Sequence, residues 1–207
     1  MEQEKLNIAQ KVYALYSKYG IKSITLDDIA REMGLSKKTL YQYFTDKNEL
    51  VYAVFSYEKE HRMGCMGEIF SRKMNAIEET FAINRYVADM MKDFNPAMEY
   101  DLKKYYPDLY EKRRDAIIMN MYQRQLDNLN RGMKEGLYRN DITPEYIARL
   151  FILRMVNVHE VPCFDKSDFF GPAFFREIFV YHIRGLASEK GLKVLEKELK
   201  KIENDEK

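Results

Sequence analysis

Tryptophan is absent and cysteine nearly so: among 207 residues only Cys65 and Cys163 occur, 98 positions apart. With no CxxC pair and no Cys/His cluster, the chain offers neither a disulfide framework nor a zinc site. Histidine is scarce as well. His61, His159 and His182 are scattered, and His159-Glu160 lacks the second histidine that a metalloprotease helix needs. Glycine-rich phosphate loops and the GxSxG nucleophile elbow are missing, and Asp165 and Asp168, either side of Lys166, lack calcium-loop spacing. These absences exclude a visible catalytic constellation, so neither enzymatic activity, a metal nor a cofactor is expected. No stretch of 18 apolar residues and no charged-then-apolar leader is found, so a complete cytoplasmic protein without a membrane segment is expected. Low-complexity tracts, Pro/Gly-rich linkers and alternating strand patterns are absent too, which makes the fold class all-α.

An excess of charge is also missing. Thirty-four basic residues stand against 33 acids, a formal net charge of +1, so bulk attraction to nucleic acid is weak. The distribution is less even. From Gly34 to Lys47 three lysines (37, 38 and 47) meet one acid, Asp46, and charge placed locally against phosphate governs the electrostatic part of DNA binding.

That basic stretch belongs to a segment, Thr25 to Lys47, that reads as two short helices joined by a tight turn. Thr25 and Asp28 have capping-box spacing, and Ile29, Ala30 and Met33 share one helix face. Gly34 supplies the backbone freedom to end that helix. Ser36 caps the next, with Leu35 and Leu40 spaced as a hydrophobic staple. At about 100° per residue, Leu40 and Phe44 define a buried face, Lys38 and Gln42 point the opposite way, and Thr39 and Tyr41 lie on the flanks. Glutamine pairs with adenine and lysine donates to guanine or phosphate, while Thr and Tyr hydroxyls reach phosphates or base edges. A short helix with such a polar face, presented by a helix across it, is the helix-turn-helix arrangement for the major groove.

The segment resembles the DNA-binding region of the TetR family of transcriptional regulators. The resemblance is carried by Gly20, Thr25, Ile29, Ala30, Gly34, Leu35, Ser36, Lys37, Thr39, Leu40, Tyr41, Tyr43, Phe44, Lys47 and Leu50. Lys38 stands where the family often has Gly, and Gln42 where it often has Tyr. Both departures bear on which operator is read. The run Gly132 to Glu145 resembles the family's lead-in to its last two large helices.

Taken in order, Leu6 to Tyr19 carries a helical stripe (Ile8, Ala9, Val12, Leu15, Tyr16) that ends at Gly20 and completes a three-helix head. Asp46 with Glu49 opens a long fourth helix reaching toward Phe70, with Lys47 beside its free N–H groups, a setting that suits phosphate. The family resemblance gives Lys47 the same role. Gly64 and Gly67 interrupt this helix, marking close packing of a neighbour or its end. Further helices are expected at Asn75–Phe94, after Asn95-Pro96, from Pro107 to Gly136, from Thr143-Pro144, and around Phe175–Leu186, with a loop from Pro162 to Pro172. Gly191 separates a last, charge-balanced stretch expected to fray.

Nine of the twelve methionines (63, 66, 74, 90, 91, 98, 119, 121, 133), with tyrosines 86, 100, 105, 106, 110 and 122, lie between helix four and the end of the central helix. Methionine adapts to varied ligands, but it also fills cores. A pocket for a lipophilic or aromatic ligand is expected from Met90, Phe94, Tyr105, Met119, Tyr122 and Met155. Arg113-Arg114 is read as a solvated helix face, and His182 as a histidine satisfied in the core.

The expectation is an all-α chain: a three-helix DNA-binding head at 1–46, fused through the fourth helix to a ligand-binding and dimerisation domain at 47–207. It acts as a homodimer on double-stranded, palindromic DNA and is released by a small molecule, more in the manner of a repressor than an activator. Lys38 and Gln42, with Thr39 and Tyr41, would read bases, while Thr25, Ser36, Lys37, Tyr43 and Lys47 would hold phosphates. The dimer seam is expected at about 143–159 and 172–187. Two alternatives stand beside it: a constitutive DNA binder without effector, and an all-α carrier or interaction protein.

Overall fold

The computed structural model describes residues 2–92, 94–157 and 172–205, and these form ten α-helices with no named strand. They are α1 (Glu2–Tyr19), α2 (Leu26–Met33), α3 (Lys37–Tyr43), α4 (Lys47–Ser71), α5 (Ala76–Lys92), α6 (Pro96–Tyr105), α7 (Pro107–Lys134), α8 (Pro144–Asn157), α9 (Pro172–Leu186) and α10 (Glu189–Asp205). The expected loop at 162–172, apart from Pro172, and residues 158–159 of the expected seam lie outside the described residues, as do His159 and Cys163.

Contacts divide the chain into two compact units, one of Met1–Glu68 with Lys92–Arg114, the other of Ile69–Met91 with Asp115–Lys207. The head expected at 1–46 lies inside the first, which also takes in α6. Its core joins Ile8, Val12 and Tyr16 of α1 to Ile29, Leu40, Phe44, Leu50, Val54 and, from α6, Met98 and Leu102. Burying that many large apolar side chains at about 1.5–3 kcal/mol each is what gives a head of short helices a fixed shape. Pro96 starts α6 with Asn95 as its cap, and the Asn95 side-chain amide donates to the Lys18 carbonyl at 2.8 Å. Asp101, buried on α6, accepts the Lys22 N–H at 2.7 Å. Gly20 makes that approach feasible: its φ is +81° and a Cβ there would stand 3.0 Å from the Asp101 carboxylate.

Glu58 on α4 is a second buried acid of this unit. It accepts from Arg62 at 2.7 Å and Arg113 at 3.3 Å, and Arg113 also reaches Glu99 at 3.4 Å. Arg113 is therefore an internal partner and not the solvated face expected; Arg114, paired with Glu111, is exposed. A charge removed from water needs such partners, because desolvation alone costs several kcal/mol.

The second unit closes around Ala76, Ile77, Phe81, Leu129, Leu137, Tyr138, Ala148, Ile183, Leu186 and Leu195. The Asn128 amide donates to the Ala76 carbonyl and to Glu79, while its oxygen accepts from the Tyr138 hydroxyl at 3.0 Å. Arg131 pairs with Glu79 at 2.8 Å. Two glycine expectations are corrected. Gly64 and Gly67 neither end α4 nor admit a close neighbour, since a Cβ at either would meet nothing within 4 Å. Gly191 is not a separator; it lies within α10, where a Cβ would come 2.0 Å from the Leu137 carbonyl oxygen. Close backbone approach is what requires glycine there.

Candidate nucleic-acid interface

Local chemistry builds the reading pair. The Thr25 hydroxyl accepts the Asp28 N–H at 3.1 Å, and the Asp28 carboxylate takes the Thr25 N–H at 3.0 Å, closing the expected capping box. The Thr25 hydroxyl, donating to the Asp28 carboxylate at 2.6 Å, and then the Thr25 N–H hold that carboxyl below the usual carboxylate range. Gly34 ends α2 in the left-handed conformation, φ +67°. Ser36 then caps α3 by accepting the Thr39 N–H at 3.0 Å. Satisfying otherwise orphaned N–H groups at an N-cap is worth about 1 kcal/mol each, enough to matter for a helix as short as α3.

Leu40 and Phe44 are buried, 2% exposed each, and they fix which side of α3 faces out. Lys38 and Gln42 are exposed on that side, as are Lys37 and Tyr41, while Thr39 and Tyr43 are half-buried. Thr25 and Ser36 are exposed, with their hydroxyls engaged in the caps and the Ser36 oxygen 2.7 Å from that of Thr39. Lys37 pairs with Asp27 at 2.9 Å, which raises its pKa through that hydrogen bond. Both groups are about half exposed, so the pair is weak and exchangeable.

Lys47 is placed differently from the free phosphate ligand its sequence position suggests. Its ammonium donates to the Ile21 carbonyl at 2.7 Å and to that of Ile24, and burial, with Lys22 nearby, pushes its pKa down. The cap that precedes it is also altered. Asp46 accepts the Glu49 N–H at 2.8 Å, but the Glu49 carboxylate turns to the Thr45 N–H at 2.7 Å and to Lys5 at 3.2 Å.

The six residues named for an effector pocket are unequally placed. Phe94 and Tyr105 belong to the first unit; Met90, Met119, Tyr122 and Met155 belong to the second. Tyr122 and Met155 are half-buried, whereas Met90, Phe94, Tyr105 and Met119 are exposed, the last at 63%. Tyr105 instead borders an open cleft of about 240 Å³ with Ile21, Lys22, Lys47, Asn48 and Tyr106, which the end of α6, the α1–α2 turn and the start of α4 make jointly and which the sequence did not reveal. No group of acids, histidines and cysteines suited to a metal, and no helix long and apolar enough to cross a membrane, occurs among the described residues.

On α8, Tyr146, Leu150, Leu153 and Val156 are exposed at 67, 55, 59 and 40%, and on α9 Tyr181 is exposed at 76%. Spacings of four, three and three residues set the α8 group along one side of the helix. Between the two helices the ring of His182 lies 5.7 Å from that of Phe151. Its Nε2 is buried without a hydrogen-bond partner among the described residues, so the expectation of a satisfied core histidine does not hold for that atom. Burial, with the charge of Arg154, lowers its pKa to about 4.

Residues 13–54 match the family described as bacterial regulatory proteins, tetR family. A relative, the uncharacterized HTH-type transcriptional regulator YvaF of Bacillus subtilis, is 27% identical over 139 residues, 67% of this chain and 72% of that one. Among solved structures, a transcriptional regulator from Cytophaga hutchinsonii superposes with a TM-score of 0.68 at 18% identity, covering 90% of this chain and 98% of the other. A gamma-butyrolactone receptor described as ArpA-like gives a TM-score of 0.60 at 16% identity, covering 92% and 91%. At such identities the structural likeness concerns the fold.

Proposed function

We propose that this chain, which belongs to the tetR family of bacterial regulatory proteins and is a helix-turn-helix DNA-binding transcriptional regulator, works as a homodimeric repressor released by a small ligand. The observation that carries the reading is the outward side of α3, where Lys38 and Gln42 stand exposed opposite the buried Leu40 and Phe44. Gln42 and Lys38 read base edges, with Thr39 and Tyr41 beside them; Thr25, Ser36, Lys37, Tyr43 and Lys47 line the phosphates. Residues 1–46 form the DNA-reading part, and 47–207 carry ligand binding and dimerisation.

A two-fold dimer sets two such helices in successive major grooves, roughly 34–36 Å apart, on a palindromic operator. The exposed apolar row of α8 and Tyr181 of α9 support a seam at these helices, because a solvent-facing row of large apolar groups is characteristic of an interaction surface. The effector is small and lipophilic or aromatic, and it acts by favouring a head spacing that does not fit DNA. The structurally similar gamma-butyrolactone receptor bears a small-molecule name, which supports this ligand class. The exposure of Met90, Phe94, Tyr105 and Met119 favours a second reading, a constitutive binder without effector.

The test is selection of duplexes from a random library, followed by a release screen with lipophilic compounds. A two-fold symmetric selected sequence and at least one releasing compound are expected. Selection of an asymmetric site would sink the dimer reading, and tight binding that no compound relieves would leave the constitutive one.

A further inference from the structure

Two lysine ammonium groups rest on one ring. Lys22, from the turn between α1 and α2, lies 5.0 Å from the centre of the Tyr105 ring, and Lys104, on α6, lies 5.3 Å from it. Lys104 is also 5.3 Å from the Tyr100 ring and donates to its hydroxyl at 3.2 Å. Neither lysine is paired with a carboxylate among the described residues, whereas Lys5, Lys37 and Lys201 are. The acids that act on Lys47 and Tyr106 of the cleft are engaged by backbone donors: Asp101 accepts the Lys22 N–H, Asp28 the Thr25 N–H and Asp46 the Glu49 N–H. Lys22, Lys47, Asn48 and Tyr105 all border the same open cleft of about 240 Å³. Cation–π contact orients an ammonium without neutralising it, so each charge remains available to an outside anion.

We propose that this cleft holds a phosphate of the DNA backbone beyond the reach of the base-reading helix, with Lys22 on its wall and Lys104 adding its charge from beside the Tyr105 ring. The site is continuous with the phosphate line proposed through Thr25 and Lys47: Lys47 borders the cleft and donates to the carbonyls of Ile21 and Ile24. It makes α6 a DNA-contacting element in its own right. The proposal rests on the DNA-binding reading and specifies a further contact for it.

The experiment compares the wild-type chain with Lys22→Gln/Lys104→Gln and Lys22→Arg/Lys104→Arg double variants by fluorescence anisotropy. The probe is a labelled duplex selected by the wild-type chain, in a long form and in one trimmed to its half-sites. Each lost phosphate contact reduces the slope of log K against log salt by about 0.9, so the Gln variant loses about that much per chain bound on the long duplex. Its selected sequence is unchanged, the Arg variant keeps the wild-type slope, and the difference shrinks on the trimmed duplex. An unchanged slope in the Gln variant overturns the proposal while leaving the regulator reading intact. Binding of inorganic phosphate alone to the wild-type chain at millimolar levels, lost in the Gln variant without any change in DNA slope, overturns it in favour of a free-anion site. If the wild-type chain selects no duplex, both readings fall together.

Discussion

The Lys47 ammonium lies 2.7 Å from the carbonyl oxygen of Ile21, so the first residue of α4 fastens the turn that leads into α2. A charged donor to a partly buried carbonyl is worth more than a neutral one, about 1.5–3 kcal/mol. Lys47→Ala should therefore lower the melting temperature of the isolated protein, in addition to weakening its hold on all DNA sequences alike. A thermal melt without DNA decides the matter: an unchanged midpoint would return Lys47 to a purely phosphate-facing role.

Gln42 stands exposed on the outward side of α3, opposite the buried Leu40 and Phe44. Gln42→Ala should relax preference at one base position in each half-site and weaken the preferred sequence by about 1–3 kcal/mol, the usual worth of a bidentate base contact. Selection from random duplexes with the variant measures this directly. If the selected profile matches that of the wild type, the assignment of the reading face is wrong.

Much of the head was legible because its signals are local. The Thr25–Asp28 box, the left-handed Gly34 and the Ser36 cap each need only residues three or four positions apart, and each forms as its spacing predicts. What escaped the sequence depends on distant approaches. Nothing near Lys47 foretells that carbonyls at 21 and 24 will claim it, or that Lys22 and Lys104 will share the ring of Tyr105. The glycines show the same division. Gly191 reads as a breaker until the Leu137 carbonyl is seen against it, and Gly64 and Gly67 read as packing sites although nothing approaches them. The methionines named for a pocket divide likewise, with Met155 half-buried and Met90 and Met119 exposed, because composition carries no information on which face of a helix a side chain takes.

The exposed side of α8 offers a direct test of the proposed seam. Leu150→Glu/Leu153→Glu should leave the helical content of the chain unchanged, because both residues face solvent in the single chain. Placing charges in a desolvated interface costs several kcal/mol, so the variant should sediment as a monomer at concentrations where the wild type is a dimer. Operator affinity should fall with it. A dimer that survives both substitutions would move the seam elsewhere.

Gly132 carries the ring of Tyr138. A Cβ at position 132 would stand 2.2 Å from one ring carbon of Tyr138 and 3.0 Å from the Ala76 Cβ. The ring cannot simply swing away, as it is buried and its hydroxyl donates to Asn128 at 3.0 Å. Gly132→Ala should destabilise the second unit by roughly 3 kcal/mol or more, the upper end of what overpacking costs. Urea melts measure the loss, and adding Tyr138→Leu should recover part of it. Simple additivity of the two changes would show that the ring is not the obstacle.

His182 gives the chain an acid-side weakness with a definite sign. Its pKa is about 4 in the folded protein against an ordinary 6.5, because it is buried and faces the charge of Arg154. Between these values the unfolded chain binds a proton that the folded one does not, so stability rises with pH through that window and levels off above it. A shift of this size corresponds to at most about 3 kcal/mol. His182→Phe removes the titrating group and places another ring beside Phe151, so the difference in unfolding free energy between pH 4.5 and pH 7.5 should shrink by about that amount. Carboxylates elsewhere titrate in part of the same range, which is why the measurement is the difference between wild type and variant at each pH. A His182 resonance that titrates near 6.5 in the folded protein would show that water or an anion reaches the ring, and the acid-side loss would then have to come from other groups.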